Sequence, residues 1–569
     1  MVEKKMAKKA LAEHTKEELI QMVCHLKECK KFGLVWEDKP EQVARSCQEN
    51  LPILNEVENK AINLDAKQPT HIIIEGDNYH ALSVLNYTHG GKIDVIYIDP
   101  PYNTGATDWK YNNKYVDIND VYRHSKWLSM MDKRLKLAKN LLKKDGVLIC
   151  AIDENELSTL WLLLSEIFGD AYEIHCITII HNPRGIQGTN FSYCNEFALF
   201  VIPKGIKSIG NRKIEDADIK YRNLRDNGGE SLRTDARNCF YPIIVHDGNI
   251  IGFGDVLPND IHPMANEVQP NGDVYVYPID PEGVERKWRY ARQSVDSIKS
   301  MLRAKKVRNV YQIELGKNFG TYLTVWQGAR YDSNEYGKKL VNNLVPTASF
   351  DFPKSLYNVY DCLYAVLANK KSAIALDFFA GSGTTGHAVL ELNREDGGNR
   401  QFILCTNNEN KIAEEVTYPR VKTVITGIRP DGSKYSDGIP ANVRYFKTDF
   451  VSKNKTNDKL RREIAPLCTD MIKIRENCFE QVLDADQLKV FKNSRGLTAL
   501  IFDDGDLTPH IQEIEKLDTN APVFLYVFSY NNDNRDYEIP TNTRHQYRSQ
   551  PIPEGVLSVY RRIFKPKGN

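Results

Sequence analysis

At 569 residues the chain exceeds what a single compact core supports, and about 100 to 200 residues per domain would divide it into three or four units. It carries 41% hydrophobic and 27% charged residues with a net charge of +1, an ordinary globular composition, and no apolar run approaches the ~18 to 20 residues that cross a bilayer. These values exclude a helical membrane protein. The start, MVEKKMAKKALAEHTKEEL, lacks the apolar core of a secretory signal, so a cytoplasmic location is expected. The 11 cysteines form no CxxC pair; Cys24 and Cys29 are the closest and only His25 stands between them, so neither a metal site nor a disulfide framework is expected.

In chain order, residues 1–60 are predicted as an N-terminal helical segment. Thr15 with Glu18 makes a capping box, and Leu19, Met22, Val23 and Leu26 follow at helical spacing. HIIIEGD, residues 71–77, predicts a short strand followed by a helix from Tyr79, and Lys92–Asp99 predicts the next strand. An amphipathic helix over Tyr122–Lys144 and the strand VLICAID complete a strand–helix–strand succession, the signature of a parallel sheet with crossovers. Two more strands are expected at 177–182 and 196–202. From about 205 to 345 the texture turns to Gly, Asn, Asp, Arg and Tyr with short irregular strands. The α/β pattern resumes with a helix from Tyr357 to Ala368, the strand AIALDFF, a glycine-rich turn, a helix from Thr384 and the strand QFILCTN. One sheet is therefore expected from two separated pieces.

Two stretches carry chemistry. In DFFAGSGTTG, Gly381, Gly383 and Gly386 lie between a strand and a helix, where glycine lets backbone amides approach a ligand. Read alone this is a weak dinucleotide fingerprint. A nicotinamide site, the oxidoreductase alternative, would want an acid at the end of the next strand, where Thr406, Asn407 and Asn408 stand instead. In IDVIYIDPPYNTG, residues 93–105, a buried-type strand ends at Asp99, and Pro100 and Pro101 then fix φ and remove two N–H donors. Such a loop presents acceptors only. The Asp99 carboxylate and the Pro100 carbonyl can take both hydrogens of an exocyclic amine, with Tyr102 offering a stacking face. An acid followed by two prolines is also ordinary turn punctuation, and its pairing with a glycine loop in a second α/β half is what sets the chemical reading above that one.

With DPPY at Asp99–Tyr102 and FxGxG at Phe379–Gly383, the sequence resembles the amino-group DNA methyltransferases of the β order, and more narrowly the modification subunit of type III restriction–modification systems. GDNYHAL (76–82), FPKSLYNVYDCL (352–363), RNLRDNGGESLRTDARNCFYPIIV (222–245) and VRYFKTDFV (443–451) are similar to that family too. The resemblance implies an α/β, Rossmann-like methyltransferase sheet, circularly permuted in sequence. It divides the chain into the N-terminal segment 1–60, a first core segment over 61–204, a target-recognition domain over 205–345, a second core segment over 346–434 and a C-terminal α+β domain over 435–569. It implies catalysis by Asp99, Pro100, Pro101 and Tyr102, and S-adenosylmethionine held by Asp77, Lys354, Asp377, Phe379, Gly381, Gly383 and Thr384, with Asn407 or Asn408 replacing the acid many relatives place on the ribose.

The implied reaction is transfer of a methyl group to adenine N6 in duplex DNA, with the base flipped from the helix. N4-cytosine methylation, or service chiefly as the recognition subunit of a separate helicase–nuclease, remain alternatives. A homodimer and a separate restriction subunit are the partners the resemblance implies besides DNA. For phosphate contacts the stretch 285–308 offers Arg286, Lys287, Arg289, Arg292, Arg303, Lys305 and Lys306, with Trp288 and Tyr290 among them; a solvated helix face has the same composition.

Overall fold

The computed structural model describes residues 15–20, 33–65, 67–105, 109–112, 114–185, 190–214, 216–517 and 521–564. Met22, Val23, Leu26 and the Cys24–Cys29 pair lie outside the described residues, but the expected capping box is present: the Glu18 amide donates to Thr15 Oγ1 (3.2 Å) and the Thr15 amide to Glu18 Oε2 (3.0 Å). The chain forms two compact units, one of residues 1–210 with 323–569 and one of residues 211–322. No helix among the described residues is long and apolar enough to cross a membrane.

The larger unit is built on one mixed sheet. Its elements in chain order are β1 (Asn50–Glu56), β2 (Thr70–Glu75), α1 (Asn78–Thr88), β3 (Ile93–Ile98), α2 (Arg123–Lys139), β4 (Leu142–Ile152), α3 (Leu157–Phe168), β5 (Tyr172–Ile180), β6 (Asn195–Pro203), β7 (Val325–Trp326), α4 (Leu356–Leu367), β8 (Ile374–Asp377), α5 (Thr384–Asp396), β9 (Gln401–Thr406), α6 (Tyr418–Thr426) and β10 (Asn442–Ser452). Across the sheet the strands run β1-β10-β2-β9-β8-β3-β4-β6-β5-β7. The six from β10 to β4 are parallel, while β6 joins β4 antiparallel and β1 joins β10 antiparallel.

The central strands are apolar on both faces because helices cover both. Ile72, Ile74, Ile96, Ile98, Leu376 and Ile403 pack in one cluster with α1, α2 and α3. Their alternates Ile73, Val95, Tyr97, Ala375 and Leu404 are equally buried, on the face that α4 and α5 cover. β8 and β9 therefore slot between β2 and β3, so the two halves of the sequence build one sheet.

Four expectations are corrected. Among the described residues of the N-terminal segment only 16–20 and Gln42–Glu49 are α-helical, and Asn50–Glu56 is an edge strand, where Pro52 is tolerated for lack of a second neighbour. The helix expected to reach Lys144 stops at Lys139, since Leu142 already pairs with Ile93, and the chain bulges through Asp145 and Gly146 before Val147 pairs with Val95. Residues 323–345, grouped with the recognition region in the sequence, lie in the larger unit, where β7 pairs with β5. Similarly β10 extends the core sheet. From Asn457 onward the chain builds a separate five-stranded sheet, Glu480–Ala485, Leu488–Asn493, Gly496–Ile501, Val523–Phe528 and Tyr547–Ile552, whose last three strands are parallel.

The smaller unit holds three antiparallel sheets among its described residues, one of Tyr221–Asn223, Val310–Gly316 and Leu302–Val307, one of Asn249–Phe253, Ile243–His246, Val274–Val276 and Asn266–Val268, and a two-stranded one of Arg212–Lys213 and Phe319–Gly320. Its core gathers Leu224, Tyr241, Ile243, Val276, Trp288, Ile313 and Leu315.

Candidate active site

Strand register brings the two motifs together. Ala375 pairs with Val95 and Leu376 with Ile96, so Asp99 and Phe379 each stand three residues beyond paired positions, at the same carboxyl edge of adjacent parallel strands. The crevice outside such an edge is where open α/β sheets bind ligands. Here it is a cavity of about 1160 Å³ lined by Asp99, Pro100, Pro101, Tyr102, Phe379 and Gly381, together with Asp77, Lys354 and Asn407.

The glycine loop is shaped by positive φ at Gly381 (+48°) and Gly383 (+78°). Gly383 caps α5 in the left-handed conformation, and its amide donates to the Ala380 carbonyl (2.7 Å). A side chain on Gly386 would meet Leu404 at 2.9 Å, so the third glycine serves close helix–strand packing. Behind the loop the buried Arg420 donates to Ser382 Oγ (2.9 Å) and Thr384 Oγ1 (2.8 Å), and burial pulls its guanidinium down to about 9. Thr384 therefore holds the loop's framework. Asp377 does likewise, accepting from the Phe379 amide (2.9 Å) and Thr385 Oγ1 (2.6 Å); burial pushes its carboxyl up to about 7. Neither these two nor Gly383 is among the cavity-lining residues.

The DPPY loop is held from below. The Trp127 indole donates to the Pro101 carbonyl (2.7 Å), and buried Asn103, at φ +59°, accepts from Trp109 Nε1 (3.1 Å) and donates to Glu156 (2.6 Å). Above it stands a cluster that the sequence reading grouped differently. Lys354, assigned to the cofactor, has its ammonium on the catalytic side: it bonds the Tyr102 hydroxyl and Glu196, lies 3.4 Å from Asp99 Oδ1 and sits 4.5 Å from the centre of the Tyr102 ring. Tyr102 also donates to Glu196 Oε2 (3.2 Å), and Asn358 Nδ2 to Glu196 Oε1 (2.5 Å). Burial raises the Asp99 carboxyl above its ordinary value, the Lys354 ammonium opposes this, and Glu196 adds to it. For Glu196 burial is outweighed by Lys354 and His181, and its carboxyl falls.

Glu196 was missed because it opens an antiparallel strand. Only once β6 is known to run against β4, with Phe197 opposite Ile152, does the start of β6 fall at the carboxyl edge. The apolar run FALFVI behind an acid was the signal available. Asp153 at the end of β4 was also missed, although it repeats the strand-then-acid pattern of Asp99; it lines the cavity, and burial pushes its carboxyl up to about 6.

At the other end of the cavity Asp77 caps α1 through the Tyr79 amide (2.8 Å) and lies 3.4 Å from Arg134, its side chain still 32% exposed. Asn407 lines the cavity. Asn408 turns away and accepts from the Glu414 amide (3.3 Å), while Glu409, the first acid after β9, lines the cavity with Lys110 3.5 Å away. An open carboxylate at Asp77, an amide at Asn407, a carboxylate at Glu409 and a glycine backbone at Gly381 form an acceptor-rich end that suits the hydroxyls and amine of an adenosine.

The basic stretch belongs to the smaller unit and is largely committed internally. Arg286 pairs with Asp280 (2.8 Å), Arg292 with Asp296 (2.7 Å) and the Gly254 carbonyl (2.7 Å), and Arg303 and Lys305 share Glu314 (2.7 and 3.4 Å). Trp288 is a core residue at 2% exposure, its indole bonded to the Tyr241 carbonyl (2.8 Å). The expected interleaving of aromatics with an open basic face is thus corrected; among the described residues Lys287, Arg289 and Lys306 keep side chains without an ion pair.

An α/β sheet whose carboxyl edge sets a DPPY acceptor loop beside a glycine loop defines an amino-group methyltransferase site. Comparison with known proteins agrees: the DNA methylase family matches residues 93–416, and the chain belongs to that family. It is 30% identical over 402 residues to the type II methyltransferase M.KpnI of Klebsiella pneumoniae, a match taking in 66% of this chain and 90% of that one. It is 28% identical over 395 residues to the type III restriction-modification enzyme EcoPI Mod subunit of Escherichia phage P1, covering 60% of this chain and 58% of the relative, so it spans just over half of that protein's length. Among solved structures, the M1.HpyAVI–SAM complex is 14% identical, with 62% of this chain and 98% of that one covered at a TM-score of 0.29. The chain is a DNA methyltransferase.

Proposed function

We propose that this chain methylates the exocyclic N6 of adenine at a specific site in duplex DNA, as the modification subunit of a restriction–modification system. The observation that carries the reading is the single cavity lined by both Asp99–Tyr102 and Phe379–Gly381. Asp77, Phe379, Gly381, Asn407 and Glu409 hold S-adenosylmethionine, which when bound supplies an electrophilic methyl carbon. The protein's own groups act on the amine. Its lone pair is delocalised into the ring, and acceptance of its hydrogens by the Asp99 carboxylate and the Pro100 carbonyl draws the nitrogen towards sp3. Tyr102 stacks on the flipped base, returning about 1 to 3 kcal/mol of the cost of extracting it. No strong base is required, since an alkylated amine loses its proton readily to water.

That several relatives are named Mod subunits of type III restriction-modification enzymes supports a separate restriction subunit as a partner beyond DNA, and a second copy of the chain is proposed beside it. The appearance of the DPPY strand before the glycine-loop strand supports a circularly permuted reading of the fold, and the unit of residues 211–322 is assigned target recognition.

Expression in a host free of DNA methylation, followed by single-molecule sequencing, tests this directly. N6-methyladenine in one recurrent sequence is expected; N4-methylcytosine would transfer the reading to that base. Asp99→Ala is expected to lower methyl transfer by more than about 100-fold while S-adenosylmethionine binding persists, and retained transfer would remove Asp99 from the mechanism.

A further inference from the structure

Glu196 and Lys354 form a buried ion pair, with side chains 5% and 13% exposed. Taking two charges out of water costs several kcal/mol per ion, and apolar side chains of similar volume often fill such a place at no loss of stability, so packing does not explain the pair. Its connections do. Glu196 accepts from Lys354, from the Tyr102 hydroxyl and from Asn358, while Lys354 reaches past it to Asp99. The Tyr102 and Asp99 contacts converge on the acceptor loop, and the Asn358 bond ties Glu196 to α4.

We propose that Glu196 and Lys354 are positioning residues for methyl transfer: the Glu196 carboxylate anchors the Lys354 ammonium, which fixes the Asp99 carboxylate and the Tyr102 ring in place before the base arrives. This rests on the reading of Asp99 as the amine's acceptor. The groups facing Asp99 come from several elements. Glu196 on β6 and Asp377 on β8 are acids, Tyr97 on β3, Tyr102 on its own loop and Cys150 on β4 are neutral, and His181 follows β5. Lys354 is the cation that approaches it within 4 Å among the described residues. Without that ammonium a buried carboxyl beside another acid holds its proton, and a protonated carboxyl is a poorer acceptor.

The test is single-turnover methylation of duplex DNA from pH 5.5 to 9 at saturating S-adenosylmethionine, with wild type, Lys354→Met, Lys354→Arg, Glu196→Gln and the double variant Glu196→Gln/Lys354→Met. An acceptor that must be ionised gives a rate that falls as pH drops. Lys354→Met is expected to move that acidic limb up by at least about one pH unit and to lower the rate at pH 7 by 10-fold or more. Lys354→Arg restores the limb. Glu196→Gln removes a like charge from beside Asp99, so its limb does not rise, yet its rate falls because the ammonium is no longer anchored. The double variant, which removes both members of the Glu196–Lys354 pair and so leaves neither of their charges buried alone, keeps the raised limb if Lys354 protects Asp99's ionisation. Wild-type pH profiles in Lys354→Met and in the double variant would overturn the inference. If Asp99→Ala is inactive in the same assay, the proposed function survives that failure; if Asp99→Ala is active, the function itself falls.

Discussion

Asp377 illustrates how one side chain can record its burial as a pH dependence. Its carboxyl is pushed up to about 7 by burial, against the bonds from Thr385 and the Phe379 amide. Between about pH 3.9, where the unfolded chain loses this proton, and about 7, where the folded one does, the folded state binds more protons. Stability contributed by this group is therefore complete at low pH and is lost as pH rises through that window. In Asp377→Asn the dependence disappears, so raising pH from 5 to 8 should favour the variant over wild type by about 2 to 3 kcal/mol in urea unfolding. Equal pH responses would place the proton elsewhere. At this scale the sequence disclosed what its local chemistry could announce: an acid followed by two prolines, or glycines between strand and helix. It was silent on Glu196, whose importance comes from the direction in which β6 enters the sheet, and on Asp153, whose IDEN setting looks locally like any strand end.

Among elements, the strand–loop–helix unit β8–α5 carries the most constraint. Gly383 needs a left-handed backbone to cap α5, and a methyl there would come within 3.2 Å of Thr417. Gly383→Ala is expected to weaken S-adenosylmethionine binding at least 10-fold by calorimetry and to destabilise the protein by about 1 to 3 kcal/mol. Undiminished affinity would show that the turn plays no role in holding the donor. The buried parallel strands were legible because both faces are covered and continuous apolar runs result; 71–77, 92–99, 373–379 and 401–407 all emerged within a few residues of their observed limits. β1 was not, because NLPILNE contains a proline and follows a helix, and its strand state comes from a partner, β10, nearly 400 residues away. The bulge at Asp145–Gly146 within β4 reads in the sequence as a helix end, since a helix stop and a strand bulge use the same residues.

For the whole molecule, composition placed the chain among globular proteins but not its charge on any surface. The run 285–308 reads as an open basic face, whereas Trp288 is buried and Arg286, Arg292, Arg303 and Lys305 pair internally, so of the seven basic side chains named there Lys287, Arg289 and Lys306 stay phosphate candidates. Glutamate at all three should reduce the salt slope of DNA binding by about three, roughly one for each phosphate no longer neutralised, with the thermal midpoint unchanged. A slope equal to wild type would send the search for DNA-binding residues to other surfaces.

The placement of β8 and β9 has a consequence in time. β2 and β3 are consecutive in the polypeptide yet never touch, because the two strands between them in the sheet are translated some 300 residues later. A ribosome that has delivered the acceptor loop has delivered only the margins of a sheet with its centre missing, and the donor's half of the cleft does not yet exist. Maturation is therefore gated by elongation: the nascent enzyme stays inert until the ribosome has passed Thr406, and a product truncated before that point inherits one half of a clasp with nothing to close upon.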